Sequence, residues 1–269
     1  MNKKSGFQVS GSAAEQYQRF IVPHYTGPWA EALVDAAELT AGQRVLDVAC
    51  GTGVVARAAA RMVGDEGEVV GLDVNAGMLD VARVVPSEKG ATVQWHEGDV
   101  GNTGLDGESF DVAVSQQGLQ YFPDRPRAFS ELHRLLRPDG RLVMSVWKGH
   151  SVFTRALADA AGRHISPEAG TQLEFQRATP PTDEIIEQIV AAGFDDASIE
   201  EQQREVRLPA PNVYVPQHIS AMPVAAGFAA LDDDVRQMMI DDVAEGLGAN
   251  ANDKQIVFKD VVYLVFGCR

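Results

Sequence analysis

The chain has 269 residues, 45% of them hydrophobic and 23% charged, the balance of an ordinary globular protein rather than a disordered or collagen-like one. Its formal charge of -15 repels phosphate backbones, so no nucleic acid is expected as a partner. Cys50 and Cys268 have no paired metal-ligand or disulfide spacing, and no metal is expected. The opening stretch lacks a signal peptide's apolar core, and no run reaches the roughly 18 apolar residues of a membrane span, so the expectation is a cytoplasmic protein, monomer or dimer, with no membrane span.

In chain order, Ser12 with Glu15 matches a capping box and predicts a helix from about Ala13 toward Pro23. Thr26-Gly27-Pro28 predicts a second helix start leading to Leu39, so residues 1–40 read as helices ahead of the first strand. From Arg44 a unit of short apolar run, turn and helical pattern recurs, with predicted strands at 45–49, 69–74, 92–99, 110–116 and 141–147. Strands alternating with helices imply an α/β fold with a mostly parallel sheet covered on both faces. Phe129, Leu132, Leu135 and Leu136 form one helical stripe, stopped by Pro138-Asp139-Gly140. Thr182 reads as the cap of a helix carrying Ile185, Ile186, Ile189 and Val190, and Gly193 as its left-handed end. Strands are predicted at 195–206 and 256–266. Segments 149–181 and 209–252 break the alternation and read as insertions into one domain spanning 1–269, covering the carboxyl edge of the sheet where open α/β folds bind ligands.

The chemistry concentrates at the first turn. Cys50-Gly51-Thr52-Gly53 follows the first strand and opens a helix, so backbone N–H groups face whatever anionic or carboxylate-bearing group settles there. The letters G-T-G-V-V-A also satisfy the dinucleotide fingerprint, with Asp73 at the ribose position, which leaves a nicotinamide-dependent oxidoreductase open. Three features point elsewhere. Asp47 lies inside the first strand, Asp99 closes the third strand in EGD, and glutamines end the fourth. A third acid in that topological position suits a ligand with both a ribose and an exocyclic amine.

On these residues the chain resembles class I methyltransferases that depend on S-adenosylmethionine (SAM), in the subgroup of quinone-biosynthesis and other small-molecule enzymes. The likeness is densest over 44–147, where the acid-x-G-x-G-x-G pattern reads Asp47-Val48-Ala49-Cys50-Gly51-Thr52-Gly53, with alanine for the first glycine. The resemblance implies a Rossmann-like, seven-stranded sheet with an antiparallel last strand, N-terminal helices over the cofactor, SAM as methyl donor and S-adenosylhomocysteine (SAH) as product. It places Gly51 and Gly53, with Ala49 and Thr52, against the methionyl part and Asp47 near its amino group. Asp73, followed by Val74, is expected on the ribose hydroxyls, Asp99 and the Val100 N–H on adenine, and Met78 against the purine. Gln116 is expected at the methionyl amine and Tyr17 at the carboxylate, with core packing the competing role for Tyr17.

On the acceptor side, a hydroxyl or protonated amine needs a base. His24, between the N-terminal helices, and His150, after the fifth strand, are the candidates, each set against an ordinary boundary role; His218 ranks below them. His96, His133 and His164 read as surface or packing residues. Gln117 and Gln120 are candidates to orient a polar substrate group, or to satisfy loop hydrogen bonds. Phe153, Phe175, Met222, Met238 and Met239 are read either as an apolar pocket or as core. A SAM-binding protein without catalysis remains a further reading.

Overall fold

The computed structural model describes residues 12–87 and 89–269. A seven-stranded sheet of order β3-β2-β1-β4-β5-β7-β6 forms its centre. Its strands are β1 (Arg44–Val48), β2 (Glu68–Asp73), β3 (Val93–Glu97), β4 (Phe110–Gln116), β5 (Leu136–Trp147), β6 (Asp195–Pro209) and β7 (Gln255–Cys268). The first five pair in parallel, and β7 runs antiparallel between β5 and β6, as the family resemblance implies for the last strand. The order reverses between β1 and β4, so their carboxyl ends flank the crevice of the sheet.

Helices α3 (Val54–Val63), α4 (Ala76–Val84), α5 (Arg125–Leu135) and α8 (Thr182–Ala191) cover this frame. One face buries Leu33, Val45, Val55, Ala59 and Val143. The other buries Leu46, Leu72, Phe129, Leu132, Ile185 and Ile189. The insertions form α6 (Val152–His164) and α7 (Pro167–Phe175), then α9 (Pro211–Ser220), α10 (Ala225–Ala229) and α11 (Asp233–Leu247). They join Trp29, Trp147 and the end of β6 and start of β7 in a third core that includes Phe153, Tyr214, Val206 and Phe258.

Several local expectations change. Instead of two N-terminal helices parted near Pro23, α1 (Ala13–Gln16) runs through a π-helical segment (Tyr17–Thr26) into α2 (Gly27–Ala36). Proline offers no N–H, and the wider turn absorbs the gap by sending the Gly27 N–H to the Val22 carbonyl. A Cβ at Gly27 would lie 2.5 Å from that oxygen, so only glycine closes the turn. Ser12 occupies the N-cap of α1 without a side-chain capping bond, so the capping box is not made. Pro181, not Thr182, caps α8, although Gly193 does take a left-handed φ of 100°. The stripe residue Leu136 belongs to β5, which pairs Phe110 with Leu136 and then Val112 with Arg141 across a bulge. Asp139, at φ 64°, turns that bulge inside the segment read as a helix stop.

Gly53 shows how sheet packing constrains the turn. Its φ is 83°, and an added Cβ would fall 2.2 Å from the Trp95 ring of β3, which also covers Gly71. Gly53→Ala combines left-handed strain with overpacking and is expected to destabilise the fold by about 2–4 kcal/mol. Urea unfolding measures this, and Trp95→Leu in the same chain should recover part of the loss; no recovery would rule out the ring contact as the cause.

Candidate cofactor and acceptor site

β1 ends in a turn whose charged groups are held by backbone. Asp47 is 1% exposed; its Oδ2 accepts the Ala56 N–H at 2.8 Å, while Oδ1 is buried with no partner. Burial pushes its pKa up to about 8, with the Ala56 N–H pulling the other way. Ala49 and Gly51 both take positive φ, 56° and 55°. Ala49 is tolerated because its neighbour Gly118 has no side chain: a Cβ there would lie 2.8 Å from the Ala49 Cβ. The alanine that replaces the pattern's first glycine therefore has a glycine opposite it.

Asp73, at the end of β2, ties two loops together. Its Oδ2 accepts the Gly51 N–H at 2.7 Å and its Oδ1 the Asn75 N–H at 2.8 Å. Burial raises its pKa against those donors. Asn75 caps α4 through the Met78 N–H at 3.2 Å. Within the first turn, Thr52 is buried with its Oγ1 unpartnered, and the Arg57 Nη2 donates to the Thr52 carbonyl at 2.8 Å.

These groups line one cleft enclosing about 1480 Å³ including its mouth. Tyr17, Asp47, Ala49, Gly51, Thr52, Asp73, Val74, Met78, Asp99, Val100 and Gln116 all belong to its wall; Gly53 does not. Asp99 is exposed and accepts the Gly101 N–H at 2.7 Å. Gln116 donates from Nε2 to the Thr26 carbonyl at 2.8 Å, joining β4 to the π-helical segment. Tyr17, from the same segment, lies near Thr26 and Asp73, and burial raises its pKa.

The opposite end of the cleft is aromatic. Trp147, Phe153 and Tyr25 line it, with Tyr25 stacked on Trp147 at 5.5 Å. Arg177 lies over the Trp147 ring at 4.0 Å and is paired with Asp260, Nη2 to Oδ1 at 2.7 Å and Nη1 to Oδ2 at 2.9 Å. Tyr25 completes the group, donating to Asp260 Oδ2 at 2.8 Å and accepting from Arg177 Nη1 at 2.7 Å. Each side chain of the ion pair is 3% exposed, and burial is the leading cause that raises the Tyr25 pKa. This cluster escapes sequence reading because its members sit on the π-helical segment, after α7 and on β7, and no spacing links them.

Among the candidate acceptor-side residues, the cleft gathers Gln117, Gln120, Phe153, Met222 and His218. Gln120 donates to the Gln176 carbonyl at 2.9 Å and Gln117 to Ser145 Oγ at 3.3 Å; each leaves a buried Oε1 without a partner. His24 and His150 lie outside the wall: His24 is half-buried with its ring 6.1 Å from that of Tyr214, and His150 is half-buried after β5. Phe175 and Met238 are exposed, and Met239 is core. His96 bonds the Thr103 carbonyl at 2.9 Å, His133 stands edge-on to Phe194 at 5.2 Å, and His164 bonds Asp242 at 2.7 Å. Cys50 is buried and Cys268 exposed, both free. Among the described residues no helix is long and apolar enough to cross a membrane, and no group of His, Cys, Asp or Glu is arranged to hold a metal ion.

Residues 45–140 match the model of a methyltransferase domain family. A ubiquinone/menaquinone biosynthesis C-methyltransferase of Coxiella burnetii is 29% identical over 182 residues, covering 62% of this chain and 73% of that protein. A nocamycin O-methyltransferase of Saccharothrix syringae is 37% identical over 119 residues, covering 44% and 42%. Among solved structures, a Haemonchus contortus phosphoethanolamine N-methyltransferase with bound SAM superposes with TM-score 0.60 at 20% identity, over 95% of this chain and 56% of that one. The YcgJ protein of Bacillus subtilis superposes with TM-score 0.56 at 18% identity, over 91% and 99%. The named relatives span carbon, oxygen and nitrogen acceptors, so kinship leaves the acceptor atom open. The nicotinamide alternative falls away: the chain carries a methyltransferase domain on a Rossmann-like sheet, and SAM is its methyl donor.

Proposed function

We propose that the chain transfers the methyl group of SAM to a small-molecule acceptor by in-line displacement. The observation that carries this reading is the single cleft, acidic and backbone-lined at the switch point of the sheet and aromatic beneath the insertions. The cleft runs on from its acidic end to an aromatic end lined by Trp147, Phe153 and Tyr25, where an acceptor can lie beside the cofactor. A filled acceptor half would have favoured a non-catalytic SAM binder.

The wall fits the cofactor. Asp47 Oδ1 and Thr52 Oγ1, buried and unpartnered, suit the methionyl ammonium and carboxylate. Asp73 keeps a lone pair on each oxygen after accepting its two backbone donors, enough for the two ribose hydroxyls. Val100 and Asp99, in the same wall, offer a donor and an acceptor suited to an adenine edge, with Met78 for the ring face. Tyr17 and Gln116 close this end from the π-helical segment and β4. When bound, SAM supplies an electrophilic methyl on sulfur. The protein then holds the acceptor about 3 Å from that carbon and excludes water, so positioning carries much of the rate. Gln117 and Gln120 offer their free Oε1 atoms to orient a polar group of the acceptor.

Calorimetry with SAH, followed by a screen of phenols, quinones, thiols and amines for SAH release, tests the reading; absence of SAH binding overturns it. Asp47 gives it a second signature. Its folded pKa, about 8, lies above the unfolded value of about 3.9, so the empty protein loses stability as pH rises from about 4 through 8. An ammonium beside the carboxylate lowers that pKa, so SAH binding at pH 7 should release up to about one proton. Titrations in two buffers of different ionisation enthalpy count the proton, and Asp47→Asn should abolish its release. Equal proton release by both proteins would rule out this role for Asp47.

A further inference from the structure

His218 is the one histidine in the wall of the cleft, and it stands at the aromatic end. It is 7% exposed, with the rings of Phe153, Tyr214 and Tyr25 at 5.1, 5.5 and 6.5 Å. Its Nδ1 lies 3.4 Å from the Tyr214 hydroxyl, and its Nε2 has no partner among the described residues. The titratable groups facing it are the hydroxyls of Tyr25, from the π-helical segment, and Tyr214, from α9, both held protonated by burial. Beyond Tyr25, Arg177 and Asp260 cancel each other's charge. No formal charge reaches the imidazole, and burial alone holds its pKa down to about 3, so it is neutral and ready to accept a hydrogen bond at any physiological pH.

The charge of the wall also selects the acceptor. Among the described residues of the wall Arg177 is the only lysine or arginine, and it is already paired, whereas Asp47, Asp73 and Asp99 line the cofactor end. An anionic acceptor would find no free cation among the described residues, and a cationic one no unpaired carboxylate at the aromatic end. We propose that the acceptor is an uncharged ring compound bearing a hydroxyl, and that Nε2 of His218 takes the hydroxyl proton as the methyl arrives. This inference rests on the methyltransferase reading. The acceptor oxygen forms its bond to the methyl carbon, the carbon–sulfur bond breaks with its electron pair going to sulfur, and the O–H proton passes to Nε2 and then to solvent. A weak base suffices, because the oxonium that would otherwise form is a far stronger acid than the imidazolium. The low basicity also keeps His218 unprotonated in acid, so its titration should not slow methylation above about pH 4.

The test uses the full chain with SAM and measures SAH release with phenol, catechol and 2-naphthol, against 2-naphthoate, aniline and thiophenol. His218→Phe keeps the ring packing and removes the base; His218→Gln keeps an acceptor without useful basicity. The expected result is turnover of at least one hydroxyl compound, slowed by at least about 100-fold in both variants, while SAH affinity stays within about twofold of wild type. Wild-type rates in His218→Phe, preference for the carboxylate, the amine or the thiol, or transfer to none of the hydroxyl compounds despite normal SAH binding would overturn this inference alone. Failure of the wild-type chain to bind SAH would remove the methyltransferase reading and this inference with it.

Discussion

Replacing Asp73 by alanine is expected to lower SAH affinity by at least about 100-fold, because hydrogen bonds to a charged group contribute roughly 1.5–3 kcal/mol each and a ribose held by this carboxylate would lose two. The change also works through the protein. Asp73 accepts the Gly51 N–H and the Asn75 N–H, so its removal frees the turn after β1 and the cap of α4 together. Asp73→Asn keeps one side-chain oxygen and should lose only about tenfold. Calorimetry with SAH gives both values, and circular dichroism checks that the fold persists. Unchanged binding in Asp73→Ala would remove this residue from the cofactor site.

The second large effect is on stability. Asp260→Ala strands the Arg177 guanidinium in a site where both partners are 3% exposed, and removal of one member of a buried pair typically costs about 3–5 kcal/mol. Arg177→Met, which strands the carboxylate, should cost a similar amount. The double variant Arg177→Met/Asp260→Leu should be more stable than either single one, because the desolvated charges leave together. Denaturant unfolding of the four proteins forms the cycle. Additive losses would show that the two side chains do not act as a pair. Tyr25→Phe, which removes one hydroxyl from the same network, should cost about 1 kcal/mol.

The α/β frame was legible because its signals are local. A β-branched run, a glycine turn and a helical stripe each lie within a few residues, and parallel strands bring Asp47, Asp73 and Asp99 to one edge without any knowledge of distant contacts. The π-helical segment was not legible, since Pro23 has the same letters in a break as in a wide turn, and the bond that decides it runs from Gly27 to Val22. Gly53 shows a different limit. The pattern assigns it to ligand approach, but Trp95, on another strand, occupies the space above it. The acceptor half was least legible. Tyr25, Arg177 and Asp260 meet across 235 and 83 positions of sequence, and only the folded insertions bring His218 to the wall in place of His24 and His150.

The position of β7 inside the sheet has a consequence for the order of synthesis. Arg141 of β5 pairs with Cys268, and Ile256 of β7 with Leu208 of β6, so β6 has no strand neighbour until residues 255–268 have emerged from the ribosome. The strands carrying the donor-side acids can pair before then. Asp260 arrives with β7, and until it does Arg177 has no counter-charge and the aromatic chamber cannot close around it. The nascent chain thus acquires the acidic end of the cleft first and its aromatic end last.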